Sequence, residues 1–172
     1  MQKDKDNKEF AYFVIIISFI VLLNVDLPQN NYQTCFTPPH NQCGSFIVNH
    51  INQANKSIYV QAYGFTHPDI IHSLIEAKKR NVNVEIILDS SNFSKKKLLL
   101  IKELEEAGIK IYKAKVSGIA HNKIMIIDKN KVLTGSFNFT KSADTRNAEN
   151  VLVIKDRQLV KKYLDNWFLY NL

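Results

Sequence analysis

The sequence predicts an α/β fold in which a mixed β-sheet is flanked by helices on both faces. Three observations carry that expectation. The runs SIYVQAYG (residues 57–64), NVEIIL (83–88) and IMII (124–127) are rich in β-branched residues and read as buried strands. They alternate with helix-length segments whose apolar residues recur at helical spacing, which implies strands separated by packed helices. The 172 residues, 45% of them hydrophobic, suffice for one domain with a core and argue against disorder. No internal repeat or low-complexity tract interrupts the pattern.

Taken in order, the chain opens with a segment that reads as a signal peptide or signal anchor over residues 1–27. Met1 to Glu9 is polar and carries Lys3, Lys5 and Lys8; Phe10 to Leu23 is then a 14-residue apolar run broken only by Ser18. A spanning helix needs about 20 residues, so this length suits a signal h-region. Asn24-Val25-Asp26-Leu27 lacks the small-x-small pattern of a cleavage site, which leaves membrane attachment through residues 10–23 open. The expected location is exported: secreted or periplasmic, or held at a membrane by this segment. Residues 28–43 read as an irregular linker rich in Asn, Gln, Thr and Pro. The domain proper is expected over 44–172.

Within that domain a helix is expected over Ser45–Asn55, with Phe46, Ile47, Ile51 and Ala54 on one side. A strand follows over Ser57–Gly64. Thr66-His67-Pro68-Asp69 starts a helix that runs to about Asn81 with Ile70, Ile71, Leu74, Ile75 and Ala77, proline suiting its first turn. Asn83–Leu88 is a strand ending at Asp89, which nothing in the sequence pairs with another group. Ser94 caps a helix through Ala107, ended by Gly108. Lys110–Lys115, Ile124–Ile127, Lys131–Thr134 and Asn150–Ile154 are further strands. Arg157–Leu172 closes the chain as a helix bearing Leu159, Val160, Leu164, Trp167 and Phe168.

Net charge is +7 with a pI near 9.3, which favours anionic partners such as nucleic acid, acidic membranes or phosphate esters without choosing among them. Removing residues 1–27 deletes three lysines and four acids and leaves a more basic body. Lys95-Lys96-Lys97 is a charge run at a helix start, ordinarily a solvated face. Cys35 and Cys43 are the only cysteines; an even count behind an export signal points to a disulfide, with free thiols the alternative. His40 between them weakly suggests zinc, but two Cys and one His fall short of a tetrahedral set. No other group of acids and histidines has ligand spacing, so no metal and no cofactor is expected.

The chemistry concentrates in His121–Glu149, HNKIMIIDKNKVLTGSFNFTKSADTRNAE. Side chains alternate along a strand, so His121 and Lys123 project the same way and Asp128 the other. Ser136 and Asn138 again share one parity. An imidazole, an ammonium, a hydroxyl and a carboxamide in one volume suit a phosphate. A neutral histidine nitrogen attacks phosphorus, and lysine offsets charge growing in the transition state. Ser136 and Asn138 supply neutral donors, and Glu149 is placed to orient the far ring nitrogen of His121. Asp128, facing away, reads as a structural partner. Phe137 and Phe139 read as core, and His67 and His72 as structural.

His121-x-Lys123-x4-Asp128, Gly135-Ser136-x-Asn138 and Glu149-Asn150 resemble the HKD signature of the phospholipase D superfamily. The spacing is similar to that of its small bacterial members, which include a homodimeric endonuclease and short exported proteins named phospholipase D. The resemblance implies an α-β-α sandwich. It implies a catalytic set of His121 as nucleophile, Lys123, Asp128 and Glu149, with Lys123, Ser136 and Asn138 on phosphate. Larger members carry two motifs because one histidine attacks while another protonates the leaving oxygen. This chain has one: His40, His50, His67 and His72 lack the lysine and aspartate that would make a second. The resemblance therefore implies a homodimer completed by a second His121. The expected activity is hydrolysis of a phosphodiester through a phosphohistidine, on a phosphatidylcholine-like headgroup ester. Cleavage of DNA or RNA is the alternative. A non-catalytic module binding nucleic acid or membranes is the answer of another class.

Overall fold

The computed structural model describes residues 30–38, 42–90 and 94–170, together with Asn7, Tyr12 and Phe13. Apart from those three residues, the expected leader over 1–27 lies outside the described residues, as does His40. No helix among the described residues is long and apolar enough to cross a membrane.

Seven strands form one sheet in the order β1-β7-β6-β5-β2-β3-β4. They are β1 (Tyr32–Thr37), β2 (Ser57–Ala62), β3 (Asn83–Leu88), β4 (Lys110–Lys113), β5 (Lys123–Ile127), β6 (Lys131–Gly135) and β7 (Glu149–Ile154). β2, β3 and β4 run parallel, linked by the helical crossovers that parallel neighbours require. β5 pairs antiparallel with β2 and with β6, and the antiparallel pattern continues through β7 to β1. β2 and β5 are buried at every position because both faces of the sheet are covered there.

Among the described residues the two faces are covered unequally. Helices α1 (Cys43–Asn52), α2 (Pro68–Lys79), α3 (Lys95–Glu106) and α4 (Lys141–Thr145) close one side. Ile47, Ile51, Ile70, Leu74, Leu104 and Ala143 pack there on the inward side chains of the strands. The other side carries α5 (Arg157–Leu169), whose Val160 and Trp167 pack on Tyr59, Ile87, Ile124, Ile126 and Val132. Trp167 is fully buried, and its indole N–H donates to the Val60 carbonyl. Phe137 and Phe139 are core residues.

The irregular linker expected over 28–43 is corrected in part. Tyr32–Thr37 forms the edge strand β1, paired with β7 from Tyr32↔Ile154 to Thr37↔Glu149. Flanking prolines and a polar alternation hide it, because an edge strand with one open side tolerates both. Cys35 of β1 is joined by a disulfide to Cys43, the first residue of α1. Elsewhere the expected elements are present with ends shifted: the helix expected from Ser45 begins at Cys43, β5, β6 and β7 each run one residue further than expected, and the short helix Lys141–Thr145 is not among those expected.

Asp128 ends β5 at the turn into β6, where it and Lys129 hold positive φ (53° and 54°), a conformation an aspartate tolerates better than most side chains. Its carboxylate accepts the backbone N–H groups of Asn55 (3.0 Å), Lys56 (2.7 Å) and Ser57 (3.0 Å). Burial works against the charged form, but these hydrogen bonds and the charge of Lys131 outweigh it and hold the pKa below the usual value. Asp128 thus ties the entry of β2 to the exit of β5, as a structural partner. Asp128→Ala should cost about 2–3 kcal/mol in urea unfolding, while activity per folded molecule is retained. Loss of activity at unchanged stability would contradict this role.

His50 on α1 is buried beside Lys131, whose ammonium lies 3.4 Å from Nδ1. Burial first, then the charges of Lys131 and Lys155, push its pKa from 6.5 down to about 4. The unfolded chain therefore binds a proton that the folded chain refuses, so stability is lost as pH falls from 6.5 towards 4. Thermal melts at neutral pH and near the lower limit should show a smaller acid loss in His50→Leu than in the parent.

Candidate active site

The site forms where β5 begins. Lys123 is the first residue of β5 and pairs with Ala62, the last of β2. The pairing extends one step further, Tyr63 N–H donating to the Asn122 carbonyl at 3.0 Å. His121 is thereby held just before the strand, on the same side as Lys123, as strand parity requires. The Lys123 ammonium lies 3.0 Å from His121 Nδ1, 3.2 Å from Nε2 and 2.8 Å from the His121 carbonyl oxygen. A neutral imidazole has a lone pair on one ring nitrogen only, so the ammonium can donate to one nitrogen at most, and its charge lies where an anionic phosphate would approach the ring. Lys123 is 8% exposed, whereas His121 is exposed. Burial lowers the Lys123 pKa, and the Glu149 carboxylate pulls it part of the way back.

Tyr63 completes this wall. Its ring lies 4.5 Å from the His121 ring between centroids, and the Lys123 ammonium sits 5.3 Å above it. The sequence flags no role for Tyr63, because a tyrosine after a strand carries no motif.

β6 and the turn after it bring the second group of residues. At Gly135 a Cβ would collide with the Asn150 carbonyl oxygen, and φ is 153°, so this position needs glycine. Beyond it, Asn138 Oδ1 accepts the Gly64 N–H at 3.3 Å, which fixes the orientation of its carboxamide. The Phe139 carbonyl accepts both Thr66 N–H (2.8 Å) and His67 N–H (2.9 Å), stitching the loop after β2 to the loop after β6.

Two expected roles differ in the single chain. Ser136 Oγ donates to Glu149 Oε2 at 2.5 Å and accepts the Asn150 N–H at 3.1 Å, so its proton is committed to the carboxylate rather than free for phosphate. Glu149 Oε1 accepts Asn147 Nδ2 at 2.9 Å, and no hydrogen bond joins Glu149 to His121 among the described residues. Glu149 acts within the chain on the charge of Lys123 and on Ser136. Its backbone N–H is held by Thr37 Oγ1 (3.1 Å) on β1, whose hydroxyl lies within hydrogen-bond distance of the Asn147 and Ala143 carbonyls. Asp128 lies at the opposite end of β5 and takes no part in this constellation.

Asp89 also acquires a partner that the sequence does not reveal. It is buried at the end of β3, and its Oδ2 accepts the Ala120 N–H at 2.7 Å, fixing the loop that delivers His121. Lys97 donates to the Asp89 carbonyl at 3.0 Å and is half-buried, so that member of the lysine run is partly withdrawn from solvent. His67 is buried with Nε2 3.5 Å from Asp144, and His72 is exposed on α2. No group of three or more His, Cys, Asp or Glu that could hold a metal occurs among the described residues.

An exposed imidazole backed by a buried ammonium and a carboxamide suits attack on an anionic phosphorus centre. Residues 47–170 match the family described as "Cardiolipin synthase, PLD-like domain". The chain is 54% identical over 143 residues, 83% of its length and 69% of the relative's, to "Phospholipase D" of Rickettsia prowazekii. It is 27% identical over 163 residues, 95% of its length and 76% of the relative's, to "Mitochondrial cardiolipin hydrolase" of Xenopus laevis. Among solved structures it is similar to the phospholipase D family member Nuc from Salmonella typhimurium, with TM-score 0.77 and 35% identity, covering 81% of this chain and 92% of that one. Fold, motif and these likenesses converge: the chain belongs to the phospholipase D family and is a phosphodiester hydrolase.

Proposed function

We propose that the chain hydrolyses the headgroup ester of a phospholipid through a phosphohistidine on His121. The observation that carries the mechanism is the exposed His121 ring held at 3.0 Å by the Lys123 ammonium. A ring nitrogen attacks phosphorus, the bond from phosphorus to the headgroup oxygen breaks, and a second histidine gives that oxygen its proton. The same histidine then takes a proton from water as the water oxygen attacks phosphorus, and the bond to His121 breaks to release the phosphatidic acid. Lys123 and Asn138 bind the non-bridging oxygens. Support for a lipid comes from the relatives, one called phospholipase D and one cardiolipin hydrolase.

The second histidine comes from a second copy of the chain in a two-fold dimer. The unequal cover of the sheet supports this reading. Tyr32 and Phe36, 56% and 57% exposed, lie on the face opposite Cys35, where α5 is the one helix described. Export, with residues 1–27 as a signal or an anchor, completes the proposal. The basic charge of +7 favours a second reading, cleavage of DNA or RNA by the same chemistry.

Purified protein should release headgroup from phosphatidylcholine vesicles without nicking plasmid DNA, should retain activity in EDTA, and should lose it in His121→Ala. Nicking without headgroup release would select the nuclease; EDTA inactivation rescued by a divalent ion would refute the mechanism. The pH profile offers a second check. Activity needs Lys123 charged and falls as pH rises through its pKa. Glu149→Gln removes the charge that raises that pKa, so the alkaline limb should move to lower pH. An unmoved limb would separate Glu149 from Lys123.

A further inference from the structure

Helix α3 presents two adjacent leucines to solvent, Leu98 at 51% and Leu99 at 63% exposure. Its inward side is supplied by Leu100, Ile101 and Leu104, so the exposed pair lies outside the stripe that the core uses. Lys95 and Lys102 are both exposed and lie three or four residues from each leucine, so all four share one outer surface. Lys102 is 73% exposed side chain and makes a surface pair with Glu106 at 3.6 Å.

The charge order along α3 runs against helix stability. Lys95 and Lys97 sit in the first turn, and Glu103, Glu105 and Glu106 in the last, with no acid at the start and no base at the end. The helix dipole favours the reverse. Helix formation therefore does not explain why the lysines frame the leucines at this end. That end is also the catalytic end. The bond from Lys97 to the Asp89 carbonyl, and from Ala120 to the Asp89 carboxylate, ties the start of α3 to the loop preceding His121. Behind the leucines, Leu100 lines a mostly apolar cleft of about 710 Å³ between α2 and α3, shared with Pro68, Ile71, His72 and Thr140. Thr140 is two residues beyond Asn138, so the cleft adjoins the phosphate-binding loop.

We infer that α3 docks the protein on an anionic phospholipid bilayer, Leu98 and Leu99 entering the interface between the ammonium groups of Lys95 and Lys102. This deepens the lipid reading of the active site and rests on it. Apolar side chains inserted at the headgroup level, flanked by lysines paired with anionic lipid, are the chemistry of an interfacial helix. Nucleic acid would draw on the lysines but has no use for paired leucines pointing at solvent.

The test uses the full chain and a reporter local to α3, so that any attachment through residues 10–23 does not mask it. With Leu99→Trp and vesicles of equal phosphatidylglycerol and brominated phosphatidylcholine, tryptophan fluorescence should be quenched beyond the parent, whose Trp167 is buried. Quenching should weaken with phosphatidylcholine alone and in high salt. The double variant Leu98→Ser/Leu99→Ser should release headgroup from anionic vesicles about tenfold or more slowly and turn over soluble bis(4-nitrophenyl) phosphate like the parent. Quenching equal to the parent, undiminished vesicle turnover in the double variant, or an emission change with plasmid DNA instead of vesicles would each overturn the proposal. Parent protein that nicks DNA and releases no headgroup would overturn the substrate reading on its own signal, separately from quenching.

Discussion

The pairing of β5 between β2 and β6 is the constraint on which the rest of this molecule depends. Every residue of β5 is buried, and its two ends hold opposite kinds of polar group. At one end Lys123 is drawn under the His121 ring; at the other Asp128 gathers three backbone N–H groups. A one-residue slip of β5 would exchange its faces, turn Lys123 away from the ring and carry Asp128 off the amides of Asn55, Lys56 and Ser57. The apolar run and the two polar ends therefore specify one register together, and the register positions the chemistry.

Much of this was legible in the sequence for a physical reason. The Ile124–Ile127 run is buried on both sides, so its composition betrays it, and strand parity alone puts His121 beside Lys123 and turns Asp128 away. The Ser94 cap and the proline opening α2 are local signals that act within a few residues, and both are where they were expected. What escaped depends on partners distant in sequence. β1 is an edge strand with polar, proline-flanked residues, and its pairing with β7 crosses more than a hundred positions. Asp89 looks idle until folding sets the Ala120 amide against it. Ser136 and Asn138 share parity, but the Ser136 hydroxyl donates to the Glu149 carboxylate while the Asn138 carboxamide oxygen accepts the Gly64 N–H.

The site is assembled from four segments that meet at one end of the central strands: the end of β2, the start of β5, the turn after β6 and the start of β7. Each is short and each is fastened by main-chain bonds, as in the paired amides on the Phe139 carbonyl. Main-chain bonds of this kind restrict the backbone that carries Lys123 and Asn138, and what is ordered beforehand need not be ordered during reaction. The histidine itself stays open to solvent, where a large phosphodiester has room to approach.

The Cys35–Cys43 bond links the outermost strand to α1, and that strand carries Thr37, which grips the amide of Glu149. The cross-link therefore sits two residues from a support of the reactive centre, at the border most prone to fray. Once thiols replace it, the border strand keeps its place by its ladder with β7 and by the side-chain bonds of Thr37, and the backbone that carries Glu149 loses a covalent brace. The cross-link thus couples the order of the sheet's border to the order of the backbone that presents Glu149.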